Sequence, residues 1–298
     1  MKEFIAAAVQ IAVRPNDIKY NVEKACEWLK KAVKEHEAQL VVFPETVTTG
    51  FTPGMPVEEF YELVADIPGW ETKEVCKLAR ELKVHVVFPL YERGEEKGII
   101  YNSSVLIDDR GEIAGIYRKT HPFPTERLGG GGWATPGSNA IVVNTRLGKI
   151  GMIICYDGDF PELSRVLAIK GAEVITRPSA LLRSYEIWDM TNRARAYDNH
   201  VYMIAVNSVG PDAGNNYYFG SSMIVSPIAQ KLAQARGTEE IIAAKLNPEP
   251  LRYVTYGARS PMIFDHLEDR NLKAYEGILT DAKSRFEPAM RIPYKKSS

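Results

Sequence analysis

Apolar residues recur along this chain in two alternating rhythms. Phe4 to Val9 is a short continuous apolar run, the pattern of a buried strand. From Asn21 to Lys34 the apolar positions Val22, Ala25, Cys26, Leu29 and Ala32 fall at helical spacing. Leu40-Val41-Val42-Phe43 is stopped by Pro44 and predicts a strand ending at a loop. Glu71 to Leu82 reads as a helix and Val84 to Phe88 as the strand after it. Tyr101 to Ile107 and Glu112 to Tyr117 flank the polar Asp108-Asp109-Arg110-Gly111 and predict a β-hairpin. A second hairpin is expected from Ile141–Asn144 and Ile150–Ile154. Alternation then returns: helix at Leu163–Ile169, strand at Glu173–Thr176, helix at Tyr185–Asn199, strand at Val201–Val206. A last pair of strands is expected at Ser222–Val225 and Ile228–Ala235.

Crossovers and hairpins in one chain predict an α/β fold with mixed sheets covered by helices. With no internal repeat, low-complexity tract or linker, residues 1–298 read as one domain. From about Leu251 the periodicity fades. Tyr253, Tyr256, Phe264, His266, Tyr275, Phe286 and Tyr294 lie in an extension, 251–298, expected to pack on the domain or on a partner subunit.

Composition narrows the class. With 45% hydrophobic and 25% charged residues the chain is ordinary globular protein, and a net charge of -1 gives no footprint for nucleic acid or an anionic membrane. The three cysteines, Cys26, Cys76 and Cys155, form neither a disulfide framework nor a zinc knuckle. Few cysteines and an N-terminus without a basic, apolar leader fit a reducing, cytoplasmic setting. None of the five histidines stands in a metal-ligand spacing, and no metal or organic cofactor is expected.

Three segments place a reactive side chain at the end of a buried strand, where open α/β sheets build their sites. They are Val41-Val42-Phe43-Pro44-Glu45, Ile116-Tyr117-Arg118-Lys119 and Gly151-Met152-Ile153-Ile154-Cys155. A thiol attacks a carbonyl carbon only as thiolate. A carboxylate can take its proton, and an ammonium stabilises both the thiolate and the oxyanion that follows. The backbone N–H of Tyr156 is a candidate second oxyanion donor. Singly, each side chain has a bland reading: a buried small hydrophobe, a loop charge, a solvated lysine.

In this order the segments resemble the nitrilase superfamily of carbon–nitrogen hydrolases, in which a Glu follows Phe-Pro, a Lys follows a Tyr-Arg-type strand end, and a Cys precedes a short acidic loop ending in Pro-Glu. Here these are Phe43-Pro44-Glu45, Tyr117-Arg118-Lys119 and Cys155-Tyr156-Asp157-Gly158-Asp159-Phe160-Pro161-Glu162. The resemblance runs from Ala7 to about Ser226, including Tyr101-Asn102-Ser103 and Arg193-Ala194-Arg195-Ala196. It implies a four-layer α-β-β-α sandwich with two mixed sheets that pairs into homodimers or larger homo-oligomers. It also implies that Glu45 is the general base, Lys119 the oxyanion stabiliser and Cys155 the nucleophile, with a second glutamate on the loop after the lysine. Glu126 is the only glutamate in His121–Trp133 and takes that place.

True nitrilases resemble one another in carrying Trp-Glu after the cysteine; Tyr156-Asp157 here favours amides or carbamoyl groups over nitriles, and Gly158 resembles the aliphatic amidase and formamidase branches. Asp159, where a carboxylate-binding arginine might otherwise stand, predicts a neutral or cationic small-molecule amide, although Arg177 and Arg183 offer cations elsewhere. Hydrolysis of N-carbamoyl amines or amino acids, or of nitriles, is the alternative within the family, as is acyl transfer. The Gly129-Gly130-Gly131-Gly132 run is either a flap beside the pocket, with Trp133 as a wall, or a surface connector. Asn215-Asn216-Tyr217-Tyr218-Phe219 is a further candidate lining. Two other classes remain: a Cys–His thiol hydrolase using His121 or His200, and a non-catalytic binding or scaffold protein.

Overall fold

A computed structural model describes residues 1–249, 263–286 and 290–292, together with the backbone of 255–256 and 260–261. Leu251, Tyr253 and Tyr294 of the aromatic extension lie outside the described residues.

The first half runs β1 (Phe4–Gln10), α1 (Ile18–His36), β2 (Leu40–Val42), α2 (Val57–Leu63), α3 (Trp70–Leu82), β3 (His85–Arg93), β4 (Ile100–Ile107) and β5 (Ile113–Arg118). The second runs β6 (Val142–Thr145), β7 (Gly148–Met152), α4 (Pro161–Ile169), β8 (Val174–Ser179), α5 (Tyr185–Asn199), β9 (Tyr202–Asn207), β10 (Val209–Pro211), β11 (Tyr217–Phe219), β12 (Met223–Val225), β13 (Lys231–Gln234) and β14 (Glu240–Leu246).

Two six-stranded mixed sheets result, ordered β14-β1-β2-β3-β4-β5 and β13-β12-β9-β8-β7-β6. Each is built on three parallel strands joined by helices, β1-β2-β3 in one and β7-β8-β9 in the other. The halves thus share a plan that the sequence does not display as a repeat.

Period-two alternation assigns the faces. In β1, Ala6 and Ala8 join the core between the sheets with Met152, Met203 and Ala205. Ala7 and Val9 face the other way, onto Val22, Ala25 and Leu29 of α1 and Val75 and Ala79 of α3. On the second sheet, Leu167 of α4 and Trp188 of α5 complete the packing. The layers are therefore helix, sheet, sheet, helix, as the resemblance implied. The sheets come close where Gly115 of β5 faces β6: a Cβ there would stand 2.5 Å from Val143 Cγ2.

Several elements differ from the sequence expectation. α1 starts at Ile18 because Asp17 caps it, accepting from the Tyr20 amide at 3.3 Å. The strand expected at 228–235 is shorter, and β14 was not expected at all; it pairs antiparallel with β1 from Phe4↔Leu246 to Gln10↔Glu240. The described part of the extension packs on α4 and α5 through Phe264, His266 and Leu267 and reaches the loop after β5 through Ile292. Arg165 of α4 donates to the His266 carbonyl at 3.0 Å, and Arg127 donates to the Ile292 carbonyl at 2.8 Å.

Candidate active site

Each reactive side chain is set where strand pairing stops. The Phe43 amide still bonds to the Val87 carbonyl at 3.1 Å; Pro44 has no N–H to continue, and the chain turns at Glu45. Lys119 follows β5 directly, its amide bonded to the Asn102 carbonyl at 2.8 Å. Beyond β7, the Ile153 amide bonds to the Thr176 carbonyl, and Cys155 then opens a tight turn that runs to Asp159 and into α4 at Pro161. Cys155 has φ 45° and Thr46, next to Glu45, has φ 49°. Such left-handed backbone in residues other than glycine costs roughly 1–3 kcal/mol each and persists only where the surroundings enforce it.

The ionisable groups form one buried network. Glu45, Lys119 and Glu126 expose 1%, 1% and 0% of their surface, so none is screened by water. Lys119 Nζ lies 2.7 Å from Glu45 Oε1 and 2.6 Å from Glu126 Oε2. Asn102 Nδ2 donates to the same two carboxylates, at 2.8 Å to Glu45 Oε1 and 2.9 Å to Glu126 Oε1. Glu45 Oε2 accepts from the Ala180 amide at 2.7 Å, and Glu126 Oε2 from the Phe123 amide at 2.8 Å. Burial works against the charge on Lys119, but the carboxylates of Glu126 and Glu45 outweigh it and hold its pKa above the usual value. Burial raises the pKa of Glu126, which Lys119 opposes. Burial also pushes the Cys155 thiol up to about 12; Glu45 adds to the rise, and Lys119 and Arg177 oppose it. At neutral pH the Cys155 side chain is therefore a thiol rather than a thiolate.

The turn carrying Cys155 is clamped from both sides. Asp157 accepts from the Ile154 amide at 2.8 Å, Tyr117 Oη at 2.7 Å and the His121 amide at 3.0 Å, which ties the turn to the segment after β5. Arg177, fully buried on β8, donates Nε–H to the Cys155 carbonyl at 2.8 Å and Nη1 to Thr191 and Asn192, both at 2.8 Å. Gly158 is glycine for space: a Cβ there would stand 2.1 Å from Arg177 Cζ.

A cavity of about 320 Å³ opens onto Cys155, walled by Phe51, Phe123, Trp133, Leu181, Arg183 and Asn216 among others. A larger cleft of about 730 Å³, between α4, α5 and the extension, shares none of these residues. Trp133 is thus a cavity wall, edge-on to Phe51 at 6.0 Å. The glycine run before it folds tightly onto the Glu126 turn, where a Cβ on Gly132 would stand 2.2 Å from the Glu126 carbonyl carbon. Asn216 also lines the cavity, whereas Tyr218 lies beneath it and donates to Asp212 at 2.7 Å.

Two residues named from the sequence do not line the cavity. The Tyr156 ring packs edge-on against Phe123 and Phe160, at 5.3 and 5.1 Å. Asp159 is taken by Arg183, at 2.6 and 3.0 Å, and by Arg177 at 3.4 Å. Its carboxylate is not open to a cation, so the argument from Asp159 to a cationic substrate fails. The histidines weighed as bases are also elsewhere. His121 stacks on Phe160 at 3.9 Å with Nδ1 2.9 Å from Asp157, and His200 caps α5 beside His266. Sequence reasoning gave no role to Asn102 or to Ala180; Asn102 was legible only as part of the Tyr101-Asn102-Ser103 match.

Fold and site together define a family. A model of the carbon-nitrogen hydrolase family matches residues 5–256, and the chain belongs to that family as an enzyme of its kind. It is 30% identical over 271 residues to a probable nitrilase of Schizosaccharomyces pombe, covering 88% of this chain and 97% of that one. It is 34% identical over 255 residues to a formamidase of Bacillus cereus, covering 83% and 74%. Among solved structures it resembles Saccharomyces cerevisiae Nit3, of branch 10 of the nitrilase superfamily, with TM-score 0.74 and 28% identity over 84% of this chain and 92% of that one.

Proposed function

We propose that this chain hydrolyses small linear carboxylic amides to acid and ammonia through a thioester on Cys155. The observation that carries the reading is the Lys119 ammonium gripped by two buried carboxylates, Glu45 and Glu126, beside a cavity that ends on a buried thiol. Taking two carboxylates and an ammonium out of water costs several kcal/mol per ion before pairing, an expense that chemistry explains better than a scaffold does.

Glu45 takes the Cys155 proton as sulfur attacks the amide carbon, and the C=O electron pair moves to oxygen. Lys119 and the Tyr156 N–H hold that oxyanion. On collapse the C–N bond breaks, and Glu45 returns the proton to the departing nitrogen, releasing ammonia. Water then attacks the thioester with Glu45 as base, and the C–S bond breaks to give acid and thiol. Glu126 holds the Lys119 ammonium in place and keeps it charged. We also propose that the chain self-associates, because Val166, Ile169 and Tyr197 on α4 and α5 expose apolar surface beside Leu272, Ile278 and Leu279.

The test is an ammonia-release screen over aliphatic, aromatic, carbamoyl and amino-acid amides, with Cys155→Ala as control. Intact-mass detection of an acyl adduct on Cys155 accompanies it. Turnover with no adduct, or turnover by Cys155→Ala, refutes the thioester.

A further inference from the structure

We propose that Asn102 is a positioning residue for the base: its side-chain amide keeps Glu45 and Glu126 ionised side by side, so that Glu45 stays available to take a proton. The proposal rests on the amide-hydrolase reading above, in which Glu45 is that base, and adds a neutral group to its machinery.

The charges around Lys119 do not balance. Two carboxylates and one ammonium leave one negative charge over, and all three side chains are buried. Two carboxylates that share a site away from water tend to hold one proton between them, because the second ionisation meets the charge of the first. A proton kept there at rest would leave Glu45 unable to act. The doubly ionised state needs a donor that brings hydrogen bonds to both acids.

Asn102 is placed to be that donor. Its Nδ2 donates to Glu45 Oε1 at 2.8 Å and to Glu126 Oε1 at 2.9 Å, one N–H to each acid. Turned over, the amide would set its own carbonyl oxygen against two carboxylates, so chemistry fixes its orientation. Oδ1 consequently points away, buried, and has no hydrogen-bond partner among the described residues. The backbone holds the residue in place: Asn102 pairs with Tyr91 of β3, and its carbonyl accepts from the Lys119 amide at 2.8 Å.

The bond to Glu45 also singles out an atom. Lys119 and Asn102 both donate to Oε1, and the Ala180 amide donates to Oε2. Three of the four lone-pair positions of this carboxylate are filled, and the open one is on Oε2. That oxygen is bonded to Ala180, which lines the cavity together with Cys155.

The direction of the effect follows from Glu126. Burial lifts its pKa most; Lys119 opposes by charge, Glu45 adds to the rise, and the hydrogen bonds from Lys119 and Asn102 pull it back. The other titratable groups facing the two acids are Lys119, Cys155, Tyr91 of β3 and Tyr218 of β11. Burial holds the thiol and both phenols above their usual values, and Lys119 stays charged. A proton that enters the cluster as pH falls therefore goes to a carboxylate, and without Asn102 it enters at higher pH.

The experiment compares wild type with Asn102→Leu, which keeps the backbone contacts and removes both side-chain donors. The acid limb of the pH profile of kcat/KM on propanamide is expected to move up by about one pH unit or more, so the loss at pH 6 exceeds the loss at pH 8. At pH 7 the infrared difference spectrum should gain a protonated-carboxyl band, and adding Glu126→Gln should abolish it, since one carboxylate beside Lys119 has no rival charge. Should Asn102→Leu fail to fold, Asn102→Ser, with one donor in place of two, decides by a smaller shift in the same direction. An equal loss at every pH with the limb unmoved, or the absence of the band, overturns the proposal and leaves Asn102 a packing residue. Failure of the underlying reading looks different: wild type releases no ammonia and Cys155 gains no acyl mass, while the band still appears in the variant.

Discussion

Lys119 Nζ and Glu126 Oε2 lie 2.6 Å apart with neither side chain reaching solvent. Without Glu126, Lys119 keeps Glu45 as its carboxylate partner, but its ammonium and the Asn102 amide each lose a buried acceptor, which costs about 1–3 kcal/mol. Glu126→Ala is expected to lower the melting temperature and to cut kcat/KM by at least a hundredfold. Glu126→Gln, which keeps an acceptor for the ammonium, should fold better and still lose activity. Kinetics with thermal melts on both variants check this; full activity in Glu126→Ala would remove Glu126 from the site.

Cys155 provides a test in which two properties move in opposite directions. Burial and then Glu45 raise its thiol to about 12. The thiolate fraction, and with it the rate of alkylation by iodoacetamide, should climb about tenfold per pH unit between pH 7 and 10. Glu45→Gln removes one of the charges that raise the thiol, so alkylation at pH 8 should become faster while amide turnover is lost. Slower alkylation in that variant would mean that Glu45 assists the thiol even without an amide bound.

Glu71 lies at the start of α3, 1% exposed, and neither carboxylate oxygen has a hydrogen-bond partner. Burial lifts its pKa to about 7, with Thr48 opposing weakly. Below about pH 4.5 the group is neutral folded or unfolded. As pH rises from there to about 7, the unfolded chain ionises while the folded one holds its proton, so unfolding releases a proton and stability falls. The fall totals about 3 kcal/mol and is complete above pH 7. Glu71→Gln is expected to melt higher at pH 8 and to flatten this part of the stability–pH curve, as read by calorimetry. An unchanged curve would place the ionisation elsewhere.

Gly158→Ala should disable the enzyme without touching a reacting group. The new methyl would fall 2.1 Å from Arg177 Cζ, and Arg177 is fixed by Thr191, Asn192 and the Cys155 carbonyl. Either the arginine or the nucleophile turn must move. A displacement of about 1 Å is enough for a hundredfold loss in kcat/KM. Activity within threefold of wild type would show that the turn has slack.

The sequence carried the local part of this structure. Apolar periodicity located most strands and four of the five α-helices among the described residues, because each signal lies within one segment. The missed helix α2 buries one residue of seven, Phe60, and so shows no stripe. Strand β14 is defined by its partner β1 at the other end of the chain, a pairing that no window of sequence contains. The same limit governed the site. Glu45, Lys119 and Cys155 stood out because each ends a strand. Asn102 sits inside β4 beside the equally buried Ser103 and Ser104, with nothing in the strand to set it apart, and only folding brings its amide onto both carboxylates. Asp159 was misread for the same reason: a loop carboxylate looks free until Arg183, from beyond β8, is folded against it.

Glu45, Lys119, Glu126 and Asn102 all descend from the first sheet or its loops, whereas Cys155, Arg177 and Ala180 belong to the second. The proposed base and the proposed nucleophile therefore belong to different layers, joined across the seam by the Ala180–Glu45 and Tyr117–Asp157 hydrogen bonds. Neither half contains a diminished version of the chemistry. Turnover is consequently a sensor of how well two halves of similar plan are docked, and slippage along that seam would extinguish the enzyme while each sheet stayed intact.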